Sequence, residues 1–169
     1  GKPARNIKLN SIGTASGFYG KPGDPETFYS FSSYNQPGAI YRFDTKSGKS
    51  TPFAQPKLTF DPANILVEQV FYPSKDGTKI PMFIVRRKDV DLTKGGAPTL
   101  LYGYGGFNIS LTPGFDPKSM AWIQSGGVYA VANLRGGGEY GKPWHDAGRL
   151  MNKQNVFDDF AAAGEYLIA

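Results

Sequence analysis

The sequence predicts an α/β chain headed by an antiparallel β unit, and three observations carry that prediction. The first third is a series of short aromatic and β-branched runs separated by Pro and Gly turns. From residue 97 onward, apolar runs of strand length alternate with helical spacings, the order in which helices come to cover a sheet. At the head of that alternation the run Leu100-Leu101-Tyr102 stops abruptly in Gly103-Tyr104-Gly105-Gly106, so the backbone there must turn sharply or admit a close neighbour.

Residues 8–13, 26–33, 39–44 and 50–54 read as four strands. Phe28, Tyr29, Phe31, Ile40, Tyr41 and Phe43 supply the strand-forming side chains, and Pro22-Gly23-Asp24, Pro37-Gly38 and Ser47-Gly48 supply the turns. A four-stranded antiparallel unit has a face to bury and needs a neighbour, as a propeller blade does. Pro56 and Pro62 bracket a stretch of weak periodicity that reads as the domain crossing. Residues 65–72 and 78–87 then form two strand patterns around Asp76-Gly77, a hairpin signal because a type I′ turn requires positive φ. A third strand spans 97–102, with Tyr102 closing a buried run. Residues 117–124 place Met120, Ala121 and Ile123 on a short helical pattern ended by Gly126-Gly127, and 128–133 form a fourth strand. In 155–168, Val156, Phe157, Phe160, Ala163, Tyr166 and Leu167 recur at helical spacing, with Asn155 as the expected cap and Asp158 and Asp159 in the first turn.

With 40% hydrophobic and 14% aromatic residues, the 169-residue chain has the makeup of a globular protein, not a disordered one. It has no cysteine, which excludes disulfides and thiolate metal sites and fits a reducing compartment. The net charge is +5, but the basic residues are scattered. Arg86-Arg87-Lys88 is followed at once by Asp89 and Asp91, so it reads as a solvated strand end and no nucleic-acid partner is expected. No apolar run approaches the roughly 18 residues that span a bilayer, and the N-terminus lacks a signal-peptide pattern. The expectation is a cytoplasmic protein without a membrane partner. Periplasmic or secreted location stays open, because Gly1 is compatible with an internal cut.

Tyr104 lies in a glycine loop after the third strand, and in α/β-hydrolases such a loop supplies one donor to the developing oxyanion. The same residues also read as a plain glycine turn with packed tyrosines, and Phe107 as a core aromatic. Gly136 to Gly141 spell G-x-G-x-x-G, with Asp158 about 20 residues further on, which is a dinucleotide fingerprint by letter. The context refuses it: Pro143 follows closely, no helix pattern opens on the glycines, and Asp158 falls inside a predicted helix. His145, the one histidine, reads as packed or solvent-facing, and no serine stands in Gly-x-Ser-x-Gly.

Three stretches stand in the order and spacing of one family: Phe71-Tyr72-Pro73-Ser74-Lys75-Asp76-Gly77-Thr78-Lys79-Ile80-Pro81-Met82-Phe83, then Tyr102-Gly103-Tyr104-Gly105-Gly106-Phe107, then Asn133-Leu134-Arg135-Gly136-Gly137-Gly138-Glu139-Tyr140-Gly141. Over nearly its whole length the chain resembles the prolyl oligopeptidases. The resemblance implies a partial α/β-hydrolase sheet preceded by an antiparallel β-propeller blade. Residues 1–58 would be the last blade, and 59–169 the first part of the catalytic domain, ending before the nucleophile elbow. It implies a monomeric serine-type endopeptidase that cleaves short proline-containing peptides after proline. The Ser-His-Asp triad would lie outside this chain, which alone would be inactive. It further implies that Tyr104 donates its hydroxyl to the oxyanion and that Phe107 helps form the apolar slot for the substrate proline, a ring with only CH faces to recognise. Arg135 and Glu139 would lie at the rim of the active site, as an ion pair or as substrate contacts. No metal and no organic cofactor is implied. Two readings stay open: a related oligopeptidase or dipeptidyl peptidase of other specificity, and a non-catalytic propeller or hydrolase-like interaction module.

Overall fold

The structure is a computed structural model and describes residues 5–93 and 96–169. The chain divides into two compact units, Gly1–Pro62 with Thr112–Pro117, and Ala63–Leu111 with Lys118–Ala169.

The first unit is a four-stranded antiparallel sheet of β1 (Thr14–Gly17), β2 (Glu26–Ser33), β3 (Gln36–Asp44) and β4 (Ser50–Ala54), in that spatial order. Alternation puts Tyr29, Phe31, Ala39, Tyr41 and Phe43 on one buried face. Tyr29 and Tyr41 are directly opposed in the β2–β3 ladder and stack at 5.3 Å between ring centroids. Two sequence expectations are corrected here. The first strand is Thr14–Gly17 and not residues 8–13: Ile7 and Leu9 pack on the aromatic cluster without joining the ladder, and Gly13 lies against the Phe31 ring. Pro37-Gly38 is not the β2–β3 turn either. The chain reverses at Tyr34-Asn35, and Pro37 and Gly38 lie inside β3 where the register slips between Phe31 and Ser33. Two residues there oppose one, and such a bulge tolerates a proline that has no N–H for the ladder.

The second unit is a mixed sheet of order β5-β6-β8-β7, made from β5 (Ile65–Pro73), β6 (Lys79–Arg87), β7 (Thr99–Gly103) and β8 (Val128–Ala132). β5 and β6 form the expected hairpin, β6 pairs antiparallel with β8, and β7 runs parallel to β8. β6 lies between two strands, and Ile80 through Val85 are all buried. Pro81 is tolerated at its start because β8 has ended opposite it: its carbonyl accepts from the Asn133 amide at 2.9 Å. One face of the sheet, built from Tyr72, Ile80, Met82, Ile84, Val128, Ala130 and Ala132, packs with Val156 and Ala163 of helix α3 (Gln154–Ile168). Helix α1 (Pro117–Gln124) has the predicted bounds and buries Met120 and Ile123.

The hairpin turn differs in type from expectation. Ser74 accepts from the Gly77 amide at 2.9 Å and donates its own amide to Thr78 at 2.8 Å. Gly77 alone has positive φ, at +81°. This is an ordinary turn closed by a glycine bulge, where a type I′ turn would need two left-handed residues. Tyr102, read as closing a buried run, is 45% exposed within this chain, on β7 at one end of the four-strand order. α3 begins with Lys153 as its N-cap, not Asn155, whose amide instead reaches the Ala147 carbonyl, and no acid lies in its first turn. A short helix, α2 (Gly141–Asp146), was not foreseen.

Two glycines give opposite predictions from one principle. Gly77 has open space around a virtual Cβ but a left-handed backbone, so Gly77→Ala should lower stability by about 1 kcal/mol. Gly164 lies within α3 with equally open space and no positive φ, so Gly164→Ala should raise stability by up to about 1 kcal/mol. Urea-denaturation midpoints of the two variants moving in the same direction would contradict this backbone assignment.

Candidate functional site

The glycine loop after β7 is held in an uncommon conformation. Ile109 donates its amide to the Gly106 carbonyl at 3.0 Å, closing a turn whose central residues, Phe107 and Asn108, have φ of +52° and +57°. Asparagine visits this region readily, but phenylalanine does so at a cost of about 1–2 kcal/mol. The Phe107 ring is also 84% exposed within this chain. The Tyr104 and Phe107 rings lie 6.5 Å apart, with Tyr104 43% exposed. No hydrogen bond engages the Tyr104 hydroxyl among the described residues. The turn thus presents a phenol and a flat apolar ring side by side.

The support beneath it explains the second glycine motif. A Cβ on Gly136 would lie 2.6 Å from the Gly105 carbonyl oxygen, and one on Gly138 would lie 2.6 Å from that of Asn108. Gly105 in turn has φ of +61° and no room for a Cβ between Val156, Leu134 and the Arg135 carbonyl. The two glycine runs are therefore backbones in mutual contact, joined by the Asn108 amide donating to Gly136 at 3.1 Å. α2 does open on Gly141, against the sequence expectation, and Pro143 is accommodated because the first turn of a helix needs no amide donor there. The helix locks the loop: the Trp144 indole donates to the Leu134 carbonyl at 3.1 Å, and His145 Nδ1 lies 2.7 Å from the Gly136 carbonyl. A carbonyl only accepts, so Nδ1 carries the proton.

Arg135 and Glu139 do not form an ion pair. Arg135 is 4% exposed and turns away into a buried network. Its Nη2 donates to Asp159 Oδ1 at 2.6 Å, its Nε and its backbone amide donate to Asp159 Oδ2 at 3.0 and 3.1 Å, and its Nη1 donates to Asp76 Oδ2 at 2.5 Å. Asp159 is fully buried and also accepts from the Ser74 hydroxyl at 2.6 Å. Tyr72, whose hydroxyl donates to the Asp159 carbonyl at 2.9 Å, is pushed well above the usual phenol range by burial and then by the Asp159 charge. Glu139 serves a different segment: its Oε1 accepts from the Leu111 amide at 2.9 Å and from the Asn133 side chain at 3.1 Å. Sequence reasoning missed Ser74, Asp76, Asp159 and Lys153, whose ammonium donates to the Gly105 carbonyl at 2.8 Å. Asp159 did carry a signal. With Val156, Phe160 and Ala163 it falls at helical spacing on the apolar stripe of α3, and an acid on a core face requires a cation.

Among the described residues no group of three or more His, Cys, Asp or Glu side chains could hold a metal, and no helix is long and apolar enough to cross a membrane.

The family model for the prolyl oligopeptidase family matches residues 113–169, and that for the prolyl oligopeptidase N-terminal β-propeller domain matches residues 1–56. A prolyl endopeptidase of Elizabethkingia miricola is 54% identical over 167 residues, covering 99% of this chain and 24% of the relative. One from Dictyostelium discoideum is 46% identical over 171 residues, covering 99% and 22%. Among solved structures, one from a study of two prolyl endopeptidases matches with a TM-score of 0.90 at 54% identity, over 99% of this chain and 24% of that one. Prolyl oligopeptidase B of Galerina marginata, in its apo form, matches with a TM-score of 0.82 over 94% and 23%. The chain therefore spans about a quarter of the length of the relatives it matches.

The Arg135–Asp76 contact makes a prediction about acid. The Arg135 hydrogen bond, aided by the Thr78 amide, holds the Asp76 carboxyl down to about 2, against an unfolded value of about 3.9. The stabilisation is complete above the unfolded value and is lost as pH falls toward the folded one. Unfolding free energy should therefore decline between about pH 4 and pH 2, and Asp76→Asn should flatten that limb. Equal acid slopes for the parent and Asp76→Asn would contradict this coupling.

Proposed function

The chain belongs to the prolyl oligopeptidase family, and on that premise we propose that it is part of a serine endopeptidase acting on the carboxyl side of proline in short peptides. In this reading 1–58 is the last blade of a propeller, 59–169 is the first part of the hydrolase domain, and the Ser-His-Asp triad lies in the rest of the protein. A serine oxygen adds to the prolyl carbonyl carbon, the carbonyl oxygen takes up the electron pair, and the amine leaves once protonated. Tyr104 supplies one donor to that oxygen, and Phe107 supplies one wall for the proline ring. The parent is proposed to be monomeric and cytoplasmic, in keeping with the absence of cysteine.

The observation that carries the reading is the Phe107 turn. An aromatic ring held in a left-handed conformation is strained in its backbone, and within this chain nothing buries it in return. Burial within this chain does not offset that strain, and a substrate wall recovers it when the proline ring lands. Arg135 is assigned to holding the loop, and Glu139 to holding residue 111, beside that wall and not on the substrate.

In the full-length enzyme, Tyr104→Phe should lower kcat by roughly 10² to 10³ while KM stays within a few fold, because the phenol acts on charge that develops only in the transition state. Tyr102→Phe, at the end of β7 and before the loop, should cost little catalysis. An unaltered kcat in Tyr104→Phe, or a larger loss in Tyr102→Phe, would return the loop to a structural turn. The 169-residue chain alone should not turn over a chromogenic Gly-Pro substrate, and turnover blocked by a serine-reactive phosphonate would contradict the placement of the triad.

A further inference from the structure

We propose that Lys153 is a positioning residue for Tyr104, its ammonium clamping the Gly105 carbonyl so that the phenol is held in place for the reaction. The inference rests on the reading of Tyr104 as oxyanion donor.

Tyr104 is followed by two glycines, the residues with the widest backbone freedom, and neither has a side chain with which to anchor the turn. Something outside the loop must fix the peptide that follows Tyr104. The Asn108 amide on Gly136 fixes the far end of the loop. At the near end the observed anchor is Lys153 Nζ, 2.8 Å from the Gly105 oxygen. A charged donor on a neutral carbonyl is among the stronger hydrogen bonds a side chain can offer.

Lys153 joins the turn at 150–152 to α3 with helical backbone angles, φ −61° and ψ −27°, and its side chain makes no capping bond. A cation at a helix N-terminus opposes the helix dipole. With no capping bond to make, the ammonium is left to anchor the loop. The ammonium lies 5.9 Å from the centroid of the Phe157 ring, about one helical turn further along. The absent side chain of Gly106 completes the arrangement. The point where its Cβ would begin is 3.8 Å from the Tyr104 ring edge and 3.9 Å from Lys153 Nζ, so the phenol ring and the ammonium flank one small space.

The test is made in the full-length enzyme with a chromogenic Gly-Pro substrate, using Lys153→Met, Lys153→Arg and Tyr104→Phe singly, and Lys153→Met combined with Tyr104→Phe. Lys153→Met should lower kcat by about 10- to 100-fold with KM within about twofold, since a small displacement of a positioned group has that scale of effect. Lys153→Arg should recover kcat to within a few fold by donating to the same carbonyl. On the Tyr104→Phe background the Lys153 substitution should cost less than about twofold, because the group it positions is gone. A normal kcat in Lys153→Met, a loss in KM alone, or an undiminished loss on the Tyr104→Phe background would overturn the proposal. Should Lys153→Met fail to fold, Lys153→Ala gives the same comparison. If Tyr104→Phe is impaired and Lys153→Met is not, this proposal alone falls. If Tyr104→Phe is fully active, the reading of Tyr104 falls and takes it along.

Discussion

The buried pair of Arg135 and Asp159 is the constraint on which the site-bearing unit depends. A guanidinium and a carboxylate with almost no solvent access are tolerated only when their hydrogen bonds are filled, and here they nearly are. Asp159 accepts from Arg135 side chain and backbone and from Ser74, while Arg135 spends a further nitrogen on Asp76. Removing one partner of such a pair costs about 3–5 kcal/mol, mostly from stranding the other charge. The pair gathers three separate parts of the chain at one point: the β5–β6 turn, the segment leaving β8, and the middle of α3.

What is gained is the placement of a backbone. Because the Arg135 amide itself is held by Asp159, the glycines that follow leave β8 along a fixed line, close enough to the 103–109 loop that side chains on either would collide. That close approach permits the amide of Asn108 to reach Gly136, and it stabilises a turn that phenylalanine would not choose. The Phe107 turn is thus held by the ion pair through the Arg135 backbone, by α2 through Trp144 and His145, and by Lys153. The exposed ring and phenol are the consequence.

Much of this was legible in sequence. Local patterns located α1, the β5–β6 hairpin and three of the four strands of the first sheet, because alternation and helical spacing report directly on burial. Spelling and spacing pointed to Tyr104 and Phe107, which the fold places together. The failures share a cause: they depend on which neighbour is met in space. Pro37-Gly38 looks like a turn until the ladder assigns it to a bulge. Asp159 looks like a first-turn acid complementing a dipole, although its place on the apolar stripe of α3 carried the better clue. The G-x-G-x-x-G spelling holds glycines for close approach, as in a nucleotide site, but here the approaching group is another stretch of the same backbone.

The central claim is that the Arg135–Asp159 pair supports the loop bearing Tyr104 and Phe107, and amide hydrogen exchange tests it most directly. In Asp159→Asn, the account predicts that exchange at Asn108 and Ile109, whose amides hold the turn, speeds up by a larger factor than exchange at the β5–β6 ladder amides. Protection at Asn108 and Ile109 equal to that of the parent would contradict it.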